Sequence, residues 1–290
     1  MLNSLDHVVL AVADLGAATE TYARLFGLLP SWRGEHAAFG TANTLFRLGN
    51  AYVELLAPNG EGPVGEFIRA RLAEQGEGPL AIALGTDDAR ATVAELRARS
   101  VDGPDPVEGE GRELTTGARR KWLSSTLPMD RTRAVPLVVI QHLTERDALP
   151  VASPSAGVDA ASTVAGVDHV VVMSGDGDGA IALYRDTLGL RLALDRTFEN
   201  RGLRLLFFRV GGITVEVAVP INAAAPAGDA DRFWGVSYRV VDVVAARERL
   251  AQSGFDVSEV RTGMKTGTRV CTVRRETHGV QTLLIEPAKA

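Results

Sequence analysis

The strongest constraint on this chain is that it repeats itself. Leu5-Asp6-His7-Val8-Val9-Leu10 is answered by Val167-Asp168-His169-Val170-Val171-Val172, an offset of 162 residues that then runs on without a gap. It carries Tyr22 onto Tyr184, Gly27 onto Gly189, Arg47 onto Arg209, Gly49 onto Gly211 and Glu54 onto Glu216. A register of that length requires a duplicated structural unit, so the 290 residues are expected to fold as two tandem halves.

Inside each copy the hydrophobic period changes along the chain. An alternating strand (6–12, 168–173) precedes a helix-period stretch (15–25, 178–188), with Asp14 placed as an N-cap and Gly27 or Gly189 as the stop. Three strand-like runs follow at 28–33, 44–48 and 51–57, mirrored by 190–198, 203–210 and 213–219. Gly49-Asn50 and Gly211-Gly212 read as two-residue hairpin turns of the primed kind. The unit is therefore βαβββ. Each half holds a second, more divergent unit: 80–84 then a helix over 88–100 in the first, 235–240 then 242–253 in the second, with Leu96 matching Leu250. Further strands are expected at 120–126, 137–143, 267–273 and 280–286. Residues 64–75 read as an extra helix, and 101–136 as a long polar stretch carrying Arg119, Arg120, Lys121 and Trp122. The small residues from Pro150 to Gly157 offer little to bury, which sets domains at 1–149 and 166–290 around a linker at 150–165.

Composition narrows the function. With 46% hydrophobic and 23% charged residues the chain is an ordinary globular one, and a net charge of −5 lacks the basic footprint of a nucleic-acid binder. The single Cys271 excludes an internal disulfide and reads as core, while no run of apolar residues is long enough to span a bilayer. Residues 1–6 show no charged head and apolar stretch, so a cytoplasmic location is expected. No phosphate-binding glycine loop is present, so no nucleotide cofactor is expected.

Paired βαβββ units with His in the first strand and Glu in the last resemble the vicinal oxygen chelate superfamily, which includes glyoxalase I, methylmalonyl-CoA epimerase, extradiol dioxygenases and drug-binding resistance proteins. The first half, with Arg33-Gly34-Glu35-His36 and Gly40-Thr41-Ala42-Asn43 ahead of Tyr52-Val53-Glu54, is most similar to the glyoxalase-like domains. The resemblance implies an α+β fold of four βαβββ units forming two tandem glyoxalase-like domains. It also implies a divalent metal (Zn, Fe, Ni, Co or Mn) that chelates two neighbouring substrate oxygens. Ligands would come from the first and last strands of two paired units, which nominates His7 and Glu54 in one half and His169 and Glu216 in the other. The remaining positions are expected at Ala81 and at Gln141 or Ile140 in the first half, and at Gly235 and Leu283 in the second, so each half fills two of four.

That deficit keeps several readings open. One is a lyase or isomerase using a metal on His7 and Glu54, completed by Gln141, His142 or water, or using Glu54 itself as general base with a pKa raised by burial. Another is a metal-free binding or sequestering protein, and a third, less favoured, is an extradiol-type dioxygenase. His36, Asn43, Gln141 and Trp122 are the expected substrate contacts; Gln141 is preferred to His142 because only one of two neighbours on a strand can face the groove. His278 reads as an exposed turn residue. The units of one half are expected to pair with each other, although a His7/Glu54/His169/Glu216 set would arise if the first and third faced one another. The partner is a small molecule, with no nucleic acid or membrane, in a monomer or homodimer.

Overall fold

The computed structural model describes residues 1–221 and 230–288. In chain order the first half is β1 (Ser4–Ala11), α1 (Leu15–Phe26), β2 (Trp32–His36), β3 (Thr41–Arg47), β4 (Tyr52–Pro58), α2 (Pro63–Gln75), β5 (Gly78–Gly85), α3 (Ala89–Ala98), β6 (Val107–Glu113), β7 (Arg119–Thr126) and β8 (Leu137–His142). The second is β9 (Val164–Met173), α4 (Gly177–Ile181) running on as a π-helix through Thr187, β10 (Arg191–Phe198), β11 (Leu203–Val210), β12 (Ile213–Pro220), β13 (Arg232–Val240), α5 (Val243–Gln252), β14 (Arg261–Thr262), β15 (Arg269–Val273) and β16 (Gln281–Glu286). These are four βαβββ units with α2 added, in two tandem glyoxalase-type domains. Among the described residues no helix is long and apolar enough to cross a membrane.

The caps act as their residue types dictate. The Asp14 carboxylate accepts from the Ala17 N–H, and Gly27 ends α1 in the left-handed region at φ 70°. Asp88, Asp176 and Asp242 cap the other three unit helices in the same way. Gly211 and Gly212 both take positive φ and close a primed hairpin turn. Gly49 and Asn50 do not take positive φ; Asn50 instead uses its amide to bond both backbone groups of Val167, so this turn docks on β9.

The first half closes. Its sheet runs β1-β4-β3-β2-β6-β7-β8-β5 and returns to β1, so the first and second units pair with each other. The second half is an eight-stranded sheet, β10-β11-β12-β9-β13-β16-β15-β14, whose end strands are not joined. His7 and His169 thus lie in different sheets, and the arrangement with the first and third units face to face is overturned. Along β1, Leu5, Val8 and Leu10 turn outward to the helices while His7 and Val9 line the interior. The outward faces of both halves form one continuous core: Phe26 of α1 packs edge-on against Phe46 of its own sheet and against Tyr238 of β13.

Two elements differ from the sequence reading. Residues 28–33 are mostly not strand: Leu28 bridges Pro154, and the strand begins at Trp32. The supposedly slack linker is therefore laid against the first barrel, with Ser153 and Ser155 bonded to Leu29 and Gly27 through backbone groups. The polar stretch 101–136 conceals β6, which carries almost no apolar side chain. Its inward positions are Gly109 and Gly111, where a Cβ would stand 2.5 Å from the Trp122 ring and 3.2 Å from the His36 ring. Neighbouring aromatic rings fill the interior that β6 leaves empty.

Candidate active site

β1 and β4 run parallel with His7 beside Tyr52 and Val9 beside Glu54, which brings His7 and Glu54 together on the inner face of the barrel. The His7 Nε2 and Glu54 Oε2 atoms are 3.4 Å apart. The other ring nitrogen, Nδ1, donates to Asp6 Oδ1 at 2.7 Å, and Asp6 also accepts from His142 Nε2 at 3.1 Å. The His7 ring lies flat on Tyr52, centroids 4.3 Å apart. On the far side of Glu54, the Asn43 Nδ2 donates to Oε1 at 2.7 Å and contacts His36 Nε2 at 3.3 Å. Only the amide N–H can face a carboxylate, which fixes the Asn43 orientation. His36 Nδ1 is then the protonated nitrogen, donating to Thr41 Oγ1 at 3.0 Å. The Asn43 Oδ1 is buried with no hydrogen-bond donor.

Charge in this chain is set by its partners. Burial alone would pull the His7 imidazole down, but the bonds to Asp6 and Glu54 outweigh it and hold it at about 9. Burial would likewise raise Asp6, yet hydrogen bonds from His142 and His7 drive it far below the usual carboxylate range. Glu54 follows the same logic: burial raises it, but His7, His36 and Asn43 together leave it lower than an ordinary glutamate. The sequence-based expectation of a raised Glu54 is thus reversed. His36 is pushed down, chiefly by burial. The resting site is an imidazolium held between two carboxylates, beside a neutral imidazole.

The cavity over these groups has a volume of about 340 Å³ and is walled by Trp32, Tyr52, Trp122, Phe39, Leu45 and Leu56. Trp122 meets the His36 ring edge-on at 5.4 Å. Val138 and Ile140 line this groove but Gln141 does not: its Oε1 accepts from the Ala89 N–H at the start of α3, and with His142 it lines a neighbouring cavity of about 570 Å³. Its neighbour His142 faces inward and reaches Asp6. His278 is also not free in its turn: Nδ1 bonds Glu77 of the first half at 2.7 Å. Cys271 is buried as core. Three contributors escaped the sequence reading: Asp6, Tyr52 as the stacking partner of His7, and Arg120. Asp6 left a signal, since the same acid precedes the histidine in both copies.

The helix caps Asp14 and Asp88 superimpose the first two units, placing Ala81 at the position of His7. The pairing of Val9 with Glu54 and of Ala83 with Val138 then puts Val138, not Gln141 or Ile140, at the position of Glu54. A methyl and an isopropyl group thus stand where two further ligands belong. One imidazole and one carboxylate fall short of the three or four protein donors that a divalent metal of the chelating kind takes. Among the described residues no group of three or more His, Cys, Asp or Glu converges as a metal cage.

The second half retains the pair but not its setting. His169 Nδ1 bonds Asp168 at 2.8 Å, while Nε2 bonds the Ser237 hydroxyl at 2.7 Å and lies 3.7 Å from Glu216. The offset that carries Glu54 onto Glu216 carries Asn43 onto Leu205 and His36 onto Phe198, so the amide donor is gone. Burial accordingly raises the Glu216 carboxyl, where Glu54 is lowered. Gly235 and Leu283 occupy the other two positions.

Two closed or half-closed βαβββ pairs with a His/Glu couple on parallel strands define a vicinal oxygen chelate protein. The chain belongs to the glyoxalase-like domain family, which residues 5–166 match, and residues 168–272 match the glyoxalase/bleomycin resistance protein/dioxygenase superfamily. Over 97 residues, 31% of this chain and 72% of the relative, it is 28% identical to an ethylmalonyl-CoA/methylmalonyl-CoA epimerase from Cereibacter sphaeroides. A mutant 4-hydroxymandelate synthase from Streptomyces coelicolor shares the fold with a TM-score of 0.70 at 15% identity, over 100% of this chain and 94% of that one. A Mn(II)-bound glyoxalase from Novosphingobium aromaticivorans does so with a TM-score of 0.62 at 15% identity, over 98% and 83%.

Proposed function

We propose that the first domain is a proton-transfer enzyme of the isomerase or lyase type, acting on a small molecule at the carbon next to a carbonyl group. The observation that carries this reading is the buried chain Asp6–His7–Glu54–Asn43 along one wall of an apolar groove. Glu54 is the base. Asn43 occupies one of its oxygens and leaves Oε2 to take a proton from carbon. The negative charge that develops on the carbonyl oxygen is met by the His7 Nε2–H, which Asp6 keeps protonated. The 3.4 Å separation of His7 and Glu54 is long for a charged hydrogen bond, so a substrate oxygen can take Glu54's place at the imidazolium. Returning the proton to carbon gives an isomer; expelling a leaving group gives a lyase product.

This assigns to an imidazolium the polarising role that the chelated metal has in the superfamily pattern, in keeping with a donor set that lacks two ligands. Similarity to a protein described as an epimerase supports an isomerase. The test is deuterium incorporation next to the carbonyl, followed by NMR in D2O across a panel of small carbonyl compounds and carboxylic acids. The reading expects at least one compound to exchange, unaffected by chelator, and Glu54→Gln to stop it. Exchange that survives in Glu54→Gln, or that requires added metal, overturns it. Ala81 and Val138 favour sequestration as the second reading; it expects tight binding without exchange in any compound.

A further inference from the structure

Arg120 lies on β7 with its side chain inside the barrel, only 8% exposed. No carboxylate, carbonyl or hydroxyl of the described residues accepts a hydrogen bond from its guanidinium, and none forms an ion pair with it. It rests instead between two aromatic faces, 5.8 Å from the Trp32 ring centre and 5.6 Å from that of Tyr52. Cation–π contact offsets part of the cost of burying a charge, and the N–H donors, which meet no acceptor among the described residues, open onto cavity space. An unpaired buried cation of this kind needs an explanation. Its position supplies one. Arg120 lines the groove that contains His7 and Glu54, and also a second cavity of about 570 Å³ lined by Asn3, Asp87 and Thr144, so it borders both.

We propose that Arg120 is an anion anchor, and that the groove takes a small organic acid whose carboxylate pairs with this guanidinium while its apolar or aromatic body lies along Trp122 and Phe39. The identity of this groove as the substrate site rests on the proton-transfer reading; the anchor itself does not. Charge favours a carboxylate over a phosphate. Asp6 and His7 cancel each other and Asp105 of the groove wall is paired with Arg97, leaving Glu54 and Arg120 as one negative and one positive group. A monoanion adds one charge to a neutral site, whereas a phosphate dianion adds two beside Glu54. The planar fork also matches a carboxylate through two parallel hydrogen bonds.

The experiment measures binding by calorimetry and by quenching of Trp32 and Trp122 fluorescence. The ligands are benzoate, phenylacetate and hydrocinnamate, each against its primary amide, with phenyl phosphate added. The wild type is expected to bind at least one acid tighter than its amide by about tenfold to a hundredfold. Arg120→Gln should level acid and amide, and Arg120→Lys, which keeps the charge without the fork, should retain part of the preference. Glu54→Gln, which removes the negative group of the groove, should keep or strengthen the preference for the acid; if no compound exchanges in the wild type while its acid preference stands, the proton-transfer reading fails and the anchor does not. Equal affinity for acid and amide in the wild type overturns the proposal, as does an acid preference that persists in Arg120→Gln. No acid binding at millimolar concentration, or phenyl phosphate binding tighter than every acid, overturns it too. The wild-type comparison of acid with amide stands even if the glutamine variant fails to fold.

Discussion

Replacing Asp6 by asparagine isolates the group that charges the site. Asp6 lies 2.7 Å from His7 Nδ1, and its carboxylate is the main reason the imidazole is held near 9 against a burial that would lower it. The rise from 6.5 to about 9 is worth about 3 kcal/mol of preference for the imidazolium. Because the folded-state value lies above the unfolded one, this stabilises the fold fully below pH 6.5 and is lost as pH rises through about 9. In Asp6→Asn His7 should titrate near or below 6.5, so at about pH 8 the imidazolium fraction falls from about 0.9 to about 0.03, and exchange slows roughly thirtyfold. The alkaline limb of the pH–rate profile should move toward neutrality. NMR titration of the His7 Hε1 proton, assigned by its loss in His7→Gln, reads the same change directly. Wild-type His7 titrating near 6.5, or a variant still titrating near 9, would refute the argument.

Three further outcomes are expected. Glu54→Gln should lower turnover by about 10²- to 10⁴-fold, the usual worth of a general base, while far-UV circular dichroism still shows the folded protein. Ala81→His with Val138→Glu restores the two absent ligand positions. The double variant should bind Mn or Zn stoichiometrically on metal analysis after dialysis, and a wild type equally loaded would contradict the two-donor reading. Phe26→Ala should cost about 3–5 kcal/mol and lower a single calorimetric transition for both halves, because Phe26 packs against both sheets. Two separate transitions with only one shifted would contradict a common core.

Much of the fold was legible because duplication is read from register alone. The first strand, the first helix with its Asp14 and Gly27 ends, and the final strands of each unit are marked by periodicity and caps that act locally. β6 was not legible. Its glycines face inward only because Trp122 and His36, from elsewhere in the chain, need the room, and no local pattern encodes that. The site divides the same way. His7 and Glu54 stood out through their repeated spacing, and Asn43 and His36 through the family pattern. Gln141 was placed in the groove because strand alternation excludes one of two neighbours without saying which, and the register with Trp122 chose His142. The Glu54 charge state is not legible because burial shows in the sequence as an apolar context, whereas His7, His36 and Asn43, which lower it, come from strands that meet only on folding.

The duplication also explains why one half carries the complete groove. The first barrel is sealed where β2 meets β6, with Gly34 beside Glu113 and Glu35 beside Arg112. A Cβ on Gly34 would fall 2.2 Å from the Trp32 indole nitrogen and 2.7 Å from the Arg112 carbonyl oxygen. Glycine there is what lets the two strands approach while Trp32 covers the seam. The same offset places Arg196 at that position in the second half, and its side chain projects over Phe198 instead. The strand that would complete the second seam, β14, is two residues long. Among the described residues the end strands of the second sheet do not meet, so His169 and Glu216 are not enclosed as His7 and Glu54 are. His169 lowers the Glu216 carboxyl by its charge alone, where His7 also hydrogen-bonds Glu54, and Leu205 in place of Asn43 removes a further donor. The His/Glu couple of the second half therefore keeps the aspartate behind its histidine but lacks the enclosure and the hydrogen bonds on its carboxylate, and exchange activity should survive His169→Gln while His7→Gln abolishes it.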